Sequence, residues 1–370
     1  MKLKLDCRHF RGEKPCKYGC GCAGCAHYEP MGTRILIIKL DAVGDVARTT
    51  TLLRPLREEY GPCHITWLVH PNGEGMLRGN SQIDRLLAYV PASLESLRVE
   101  RFDLVLCLDK TPRACGVGTW VNGERKLGFG LSEYGTPYPL NAGSEYAFQL
   151  GLDDELKFRR NTRTYQDVIF ECCEMTFRGE DYCIEIEEED RAAVERMLRA
   201  GGIAKDDTVV GLNLGGGKAF AHKMWDADGA MRFLKALVEA APCKVLLFGA
   251  ELEREKIATI MAARIPGVVE AITSASCRVF QAMLARCDVV VTGDSLGMHL
   301  ALAEKRPVAA LFGPTCAQEI EMYGRGEKIV SPVACAPCYS ATCTQTTNCM
   351  DAISAETVVE AVKRLLCGCA

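Results

Sequence analysis

No run in this chain approaches the roughly 20 consecutive apolar residues that span a bilayer. Its start, MKLKLDCRHFRGEKPC, holds no apolar stretch of signal-peptide length. Both absences point to a cytoplasmic protein. Excess charge is missing too: a net charge of −4 excludes a strongly basic surface, so no nucleic-acid partner is expected. Neither G-x-G-x-x-G nor G-x4-G-K-[ST] occurs at a strand end, which counts against a nicotinamide-dependent or Walker-type enzyme. No repeat of 20 to 50 residues is visible either. What remains is an ordinary globular composition, 48% hydrophobic and 25% charged, in 370 residues. That length exceeds one comfortable core and predicts two domains.

Cysteine is abundant instead, with 21 residues. In a reducing compartment these are not read as disulfides. Ten of them (63, 107, 115, 172, 173, 183, 243, 277, 287 and 316) lie mostly in apolar or helical contexts and read as small core residues. Cys7, Cys16, Cys20, Cys22 and Cys25 form a first knot with His9 and His27 nearby. Cys335, Cys338, Cys343 and Cys349 form a second, spaced C-x2-C-x4-C-x5-C, and Cys367 and Cys369 end the chain. Short C-x2-C steps put two thiolates on one tight turn, as a tetrahedral metal requires. Four thiolates leave no open coordination position, so such a metal is structural. Spacing does not separate zinc from iron, and the ligand set of the first knot stays open.

Residues 34 to 50, RILIIKLDAVGDVARTT, read as a buried strand turning into a helix, where an open α/β sheet binds ligands. The helix N-terminus would favour phosphate, yet the turn carries Asp41 and Asp45. From the residues alone, Asp45 is either a general base or a helix-capping carboxylate. The runs HITWLV and DLVLCL continue a βαβ pattern, and a second α/β series begins at TVVGLNL and runs through KVLLFGA, CDVVVTGD and RPVAALFGPT. Two doubly wound domains in series imply a cleft bordered by strand ends. In the second series, Gly215, Gly216, Gly217, Lys218 and Lys223 make either a pyrophosphate loop or a solvated glycine turn. Asp294, Ser295 and Gly297 sit at a strand-to-helix turn with His299 just inside the helix, and Ser295 is expected to cap it.

The stretches ILIIKLDAVGDVARTTTLLRPLREEY, KMW, FGAELERE, TGDSLGMHLALAEKRPVAALFGPT, YGRGEKIV and CAPCYSATCTQTTNCMDAIS resemble glycosyltransferase family 9, the ADP-heptose heptosyltransferases, over about residues 33 to 366. The resemblance implies a GT-B fold: a cysteine-rich arm (1–32), a Rossmann-like acceptor domain (33–183), a Rossmann-like nucleotide-sugar domain (184–330), and a cysteine finger with a C-terminal helix (331–370). It implies inverting transfer from ADP-heptose without a catalytic metal, with Asp45 as base. Lys223 and Glu251 would contact donor phosphate and nucleoside, beside Asp294, Ser295, Gly297 and His299. Arg125 and Lys126 would meet an anionic acceptor, with Asp41 and Arg48 on the same side. The acceptor would be a lipopolysaccharide-core glycan or glycolipid, with peripheral membrane association. Transfer to protein, as in the autotransporter heptosyltransferases that carry an iron finger, is the alternative, and an inactive scaffold whose cysteine knots bind partners or build oligomers is another. Better-known members read D-T-G-L-x-H where this chain has DSLGMH, which loosens the donor assignment.

Overall fold

The computed structural model describes residues 2–217, 223–271, 276–340 and 342–368. Lys218 and Cys369 lie outside the described residues. The chain divides into two compact units. The first comprises Met1–Ala42, Thr51–Phe148 and Ile169–Thr176; the second comprises Val43–Thr50, Gln149–Val168 and Phe177–Ala370.

The first unit is built on β1 (Thr33–Ile38), β2 (Cys63–Val69), β3 (Arg85–Ala88), β4 (Arg101–Cys107), β5 (Asn122–Leu131) and β6 (Pro137–Pro139), in the order β3-β2-β1-β4-β5-β6. Pairing is parallel through β5, while β6 returns antiparallel, so this sheet is not wholly parallel. Every residue of β2 is buried, and the last four of β1 are too, the signature of a sheet covered on both faces. Leu36, Ile38, Leu68, Phe102 and Val105 share one core cluster.

The second unit is built on β7 (Val209–Asn213), β8 (Lys244–Phe248), β9 (Val268–Glu270), β10 (Val289–Gly293), β11 (Val308–Phe312) and β12 (Gly326–Val330). Its sheet is parallel throughout, in the order β12-β11-β10-β7-β8-β9. The helix over Ala227–Ala240 buries Phe233, Leu234 and Leu237, and the side chain of its N-cap, Asp226, accepts from Gly229 N at 2.8 Å. The helix over Glu188–Ala200 stops at Gly201, with Gly202 at φ +84 just beyond. Both sheets grow outward from their first strand in two directions, so each has a topological switch point between its first and fourth strands.

Candidate functional site

At the switch point of the second sheet, Asn213 ends β7 in register with Thr292 of β10. Its amide donates to Thr292 Oγ1 and to Ser295 Oγ, each at 3.0 Å, and its Oδ1 accepts from Gly215 N at 3.3 Å. One buried amide thus fixes the glycine loop and the β10 turn together. Ser295 stands at the N-cap of the helix over Leu296–Ala303, but its hydroxyl makes no capping bond. It meets Thr292 at 3.1 Å instead, which corrects the expected cap and leaves that helix end's N–H groups without its help. Gly297 is required by proximity: a Cβ there would stand 2.6 Å from Asn213 Nδ2.

Lys223 Nζ donates to Asp294 O at 3.1 Å and lies 3.4 Å from its carboxylate. Burial pushes the Asp294 carboxyl up, but the charges of Lys223 and Arg48 outweigh it and hold the group below its usual range. His299 is buried, with Nδ1 2.9 Å from Tyr182 Oη. Burial, reinforced by the Arg48 charge, pulls its imidazole down to about 4, so the ring is neutral at neutral pH.

The helix over Val43–Thr49 belongs to the same unit and carries Asp45 in its first turn. Arg48, one turn on, grips Asp45 Oδ1 through Nη2 at 2.7 Å and Nε at 3.1 Å. Its guanidinium lies over the Tyr165 ring, 3.8 Å from the centroid. Burial opposes the Arg48 charge, yet Asp45, Tyr165 and Asp294 together raise its pKa. Gly44 admits His299 at close range, since a Cβ there would stand 2.9 Å from its Cδ2. Asp45, Arg48, Asp294 and His299 therefore form one electrostatic group, with Arg48 bound to the base candidate.

In the first unit, Asp41 pairs with Arg113 and lies 3.9 Å from His70 Nδ1. Buried Asp109 organises that turn, accepting from Lys39 Nζ at 2.9 Å and from Leu40 N at 2.5 Å. Arg125 pairs with Glu174, and Lys126 Nζ donates to Thr119 O at 2.6 Å. Glu251, exposed in the second unit, pairs with Arg254, whereas Glu253 is buried and its Oε2 accepts from Ala250 N at 2.9 Å. Gly216 and Gly217 lie in the loop after β7, Gly217 at φ +77 with open space around it. Asn213, Tyr165, Tyr182, Asp109 and Arg113 were not singled out by sequence. Only Asp109 had a usable signal, a charge ending the apolar run DLVLCL.

Of the scattered cysteines, Cys243 and Cys277 are half-buried and the others buried. In the second knot, burial pushes the Cys349 thiol up, and the charges of Cys338, Cys343 and Cys335 push it further, so the four lie within electrostatic reach. Among the described residues, no three His, Cys, Asp or Glu side chains stand in a ready metal-binding arrangement. The knot is latched to the turn after β11: Cys338 N and Tyr339 N donate to Pro314 O at 3.2 and 2.9 Å.

The family model for glycosyltransferase family 9 (heptosyltransferase) matches residues 157–348, more than half of the chain. The chain belongs to glycosyltransferase family 9. A lipooligosaccharide heptosyltransferase 2 of Campylobacter jejuni is 30% identical over 164 residues, 42% of this chain and 51% of that protein. The match thus spans about half the length of that curated relative. A family 9 glycosyltransferase of Veillonella parvula superposes with a TM-score of 0.71 at 19% identity, covering 92% of this chain and 99% of that one. An ADP-heptose lipopolysaccharide heptosyltransferase II of Escherichia coli superposes at 0.65 and 17% identity, covering 91% and 99%. These superpositions establish the GT-B fold, two Rossmann-like α/β domains, for this family 9 chain.

Proposed function

We propose that this protein transfers a heptose from ADP-heptose to an acceptor hydroxyl, with inversion at the anomeric carbon. One observation supports this most directly: Asp45, gripped by Arg48, shares an electrostatic group with Asp294 and His299 beside a sheet switch point. The names of the relatives support the heptose and the ADP donor, and the acceptor class they suggest is a lipopolysaccharide-core glycan.

In the proposed reaction the acceptor oxygen attacks the anomeric carbon as the bond to the diphosphate breaks. The electron pair leaves with ADP, and the acceptor proton passes to the Asp45 carboxylate, which Arg48 orients. Lys223, the N–H groups near Ser295 and the Gly215 to Gly217 loop stabilise the departing diphosphate. Glu251 faces the nucleoside, and Arg125, Lys126 and Asp41 meet the acceptor. Neutral His299 offers a hydrogen bond without adding charge. Residues 33–183 would serve the acceptor and 184–330 the donor. A structural zinc or iron on Cys335, Cys338, Cys343 and Cys349 would hold the finger, four soft thiolates suiting either ion.

Asp45→Asn tests the assignment. Transfer measured with ADP-heptose and a lipopolysaccharide-core acceptor should fall by roughly 10²–10⁴-fold, the usual contribution of a general base. Calorimetry should show ADP binding nearly unchanged. Lost ADP affinity with intact turnover would remove Asp45 from the role of base.

A further inference from the structure

Residues 2–32 contain no helix and no strand, only an isolated bridge between Cys7 and Pro30. Cys7 is the only buried residue among them. A segment this short with no core of its own needs a covalent or metal cross-link to hold one shape, and its cysteines are all free thiols. The backbone is nevertheless turned around them: the carbonyls of Cys16, Cys22 and Cys25 accept from the N–H three residues on, at 2.9, 3.4 and 3.4 Å. Cys20 Sγ and Cys25 Sγ lie 3.4 Å apart, near the roughly 3.8 Å between thiolates that share a tetrahedral ion at 2.3 Å. Cys16, Cys20, Cys22 and Cys25 line one small cavity, together with Cys7, His9 and His27. Of the other donors on that cavity, His9 Nε2 meets Glu29 at 2.9 Å, His27 stacks on Tyr18 with centroids 3.9 Å apart, and the Cys7 backbone bridges Pro30.

We propose that Cys16, Cys20, Cys22 and Cys25 bind one structural, zinc-class divalent ion. Four thiols release four protons and the ion takes four thiolates, drawn together from the present arrangement by rotation about Cα–Cβ. The site lies at the opposite edge of its own sheet from the C-terminal strand ends. Arg8 ties the arm to the sheet through Cys63 O at 3.1 Å and Asp84 at 3.5 Å, and Cys63 is the first residue of β2. The seven residues of β2, six steps of about 3.3 Å or about 20 Å, separate that edge from the C-terminal strand ends where ligands bind. The ion therefore holds the arm against the sheet.

The experiment measures zinc per chain in reduced, full-length protein, comparing wild type with Cys20→Ser/Cys25→Ser, Cys335→Ser/Cys338→Ser and Cys7→Ser. The Cys20/Cys25 double variant should lose one equivalent whatever the state of the second knot, and Cys7→Ser should lose none. Cobalt(II) in the Cys335/Cys338 variant should give tetrahedral ligand-field bands. Cys20→His, which keeps a ligand should the serine variants fail to fold, should retain one equivalent and shift those bands. Unchanged zinc in the Cys20/Cys25 variant, or an equal loss in Cys7→Ser, overturns the proposal, as does the absence of tetrahedral cobalt bands.

Discussion

Asp45 and Asp294 are carboxylates of one unit, and the positive charge they share is Arg48. Its side chain is only 12% exposed, so the pair with Asp45 is largely shielded from water. Arg48→Ala would take the paired guanidinium away from Asp45 and should cost about 3 kcal/mol in urea unfolding, while Arg48→Lys, which keeps the charge but not the fork, should recover part of it. A full recovery by lysine would mean that the bidentate geometry is unimportant. His299 makes a pH-dependent contribution. Unfolded it binds its proton near 6.5 and folded near 4, so between those values the unfolded chain holds more protons. This contribution is complete above pH 6.5 and is lost as pH falls toward 4, about 3 kcal/mol in all. His299→Asn should flatten that part of the stability profile. An unchanged slope would trace the acid sensitivity to other groups.

Between elements, polar side chains at strand ends do the joining. Asn213 connects the end of β7 to the turn after β10, and Gly297 leaves room for it. Gly297→Ala puts a methyl group against that amide and should destabilise the unit by about 1–3 kcal/mol, with a fall in ADP affinity read by calorimetry. Intact ADP affinity would separate the Asn213 web from the donor site. The strands themselves were legible, because a sheet covered on both faces demands near-continuous apolar runs such as TVVGLNL and CDVVVTGD. The three-residue spacing of Asp45 and Arg48 was equally visible, but not that Arg48 would grip the carboxylate, since i,i+3 spacing permits a contact without requiring it. Tyr165 and Tyr182 were hidden for a different reason. They come from segments with no motif and reach Arg48 and His299 only through tertiary packing.

At the scale of the whole molecule, neither compact unit is one continuous stretch of chain. Val43–Thr50 directly follows β1 and its turn, yet groups with the unit built on β7 to β12. Its attachments explain why: Thr49 Oγ1 meets Tyr165 Oη at 2.8 Å, Thr50 Oγ1 accepts from Cys183 N at 3.0 Å, and Gly44 meets His299. A ligand that binds only the folded form stabilises by RT ln(1 + [L]/Kd), about 2.7 kcal/mol at a hundredfold excess over Kd. Hydrogen exchange with saturating ADP should therefore slow amides in β7, β10 and the helix over Leu296–Ala303. Residues 43–50 should slow with them, while β1 and β2 change far less, because local openings report the unit to which a segment is attached. Protection of 43–50 that instead follows β1 would place Asp45 with the first unit and separate the proposed base from the Arg48, Asp294 and His299 group.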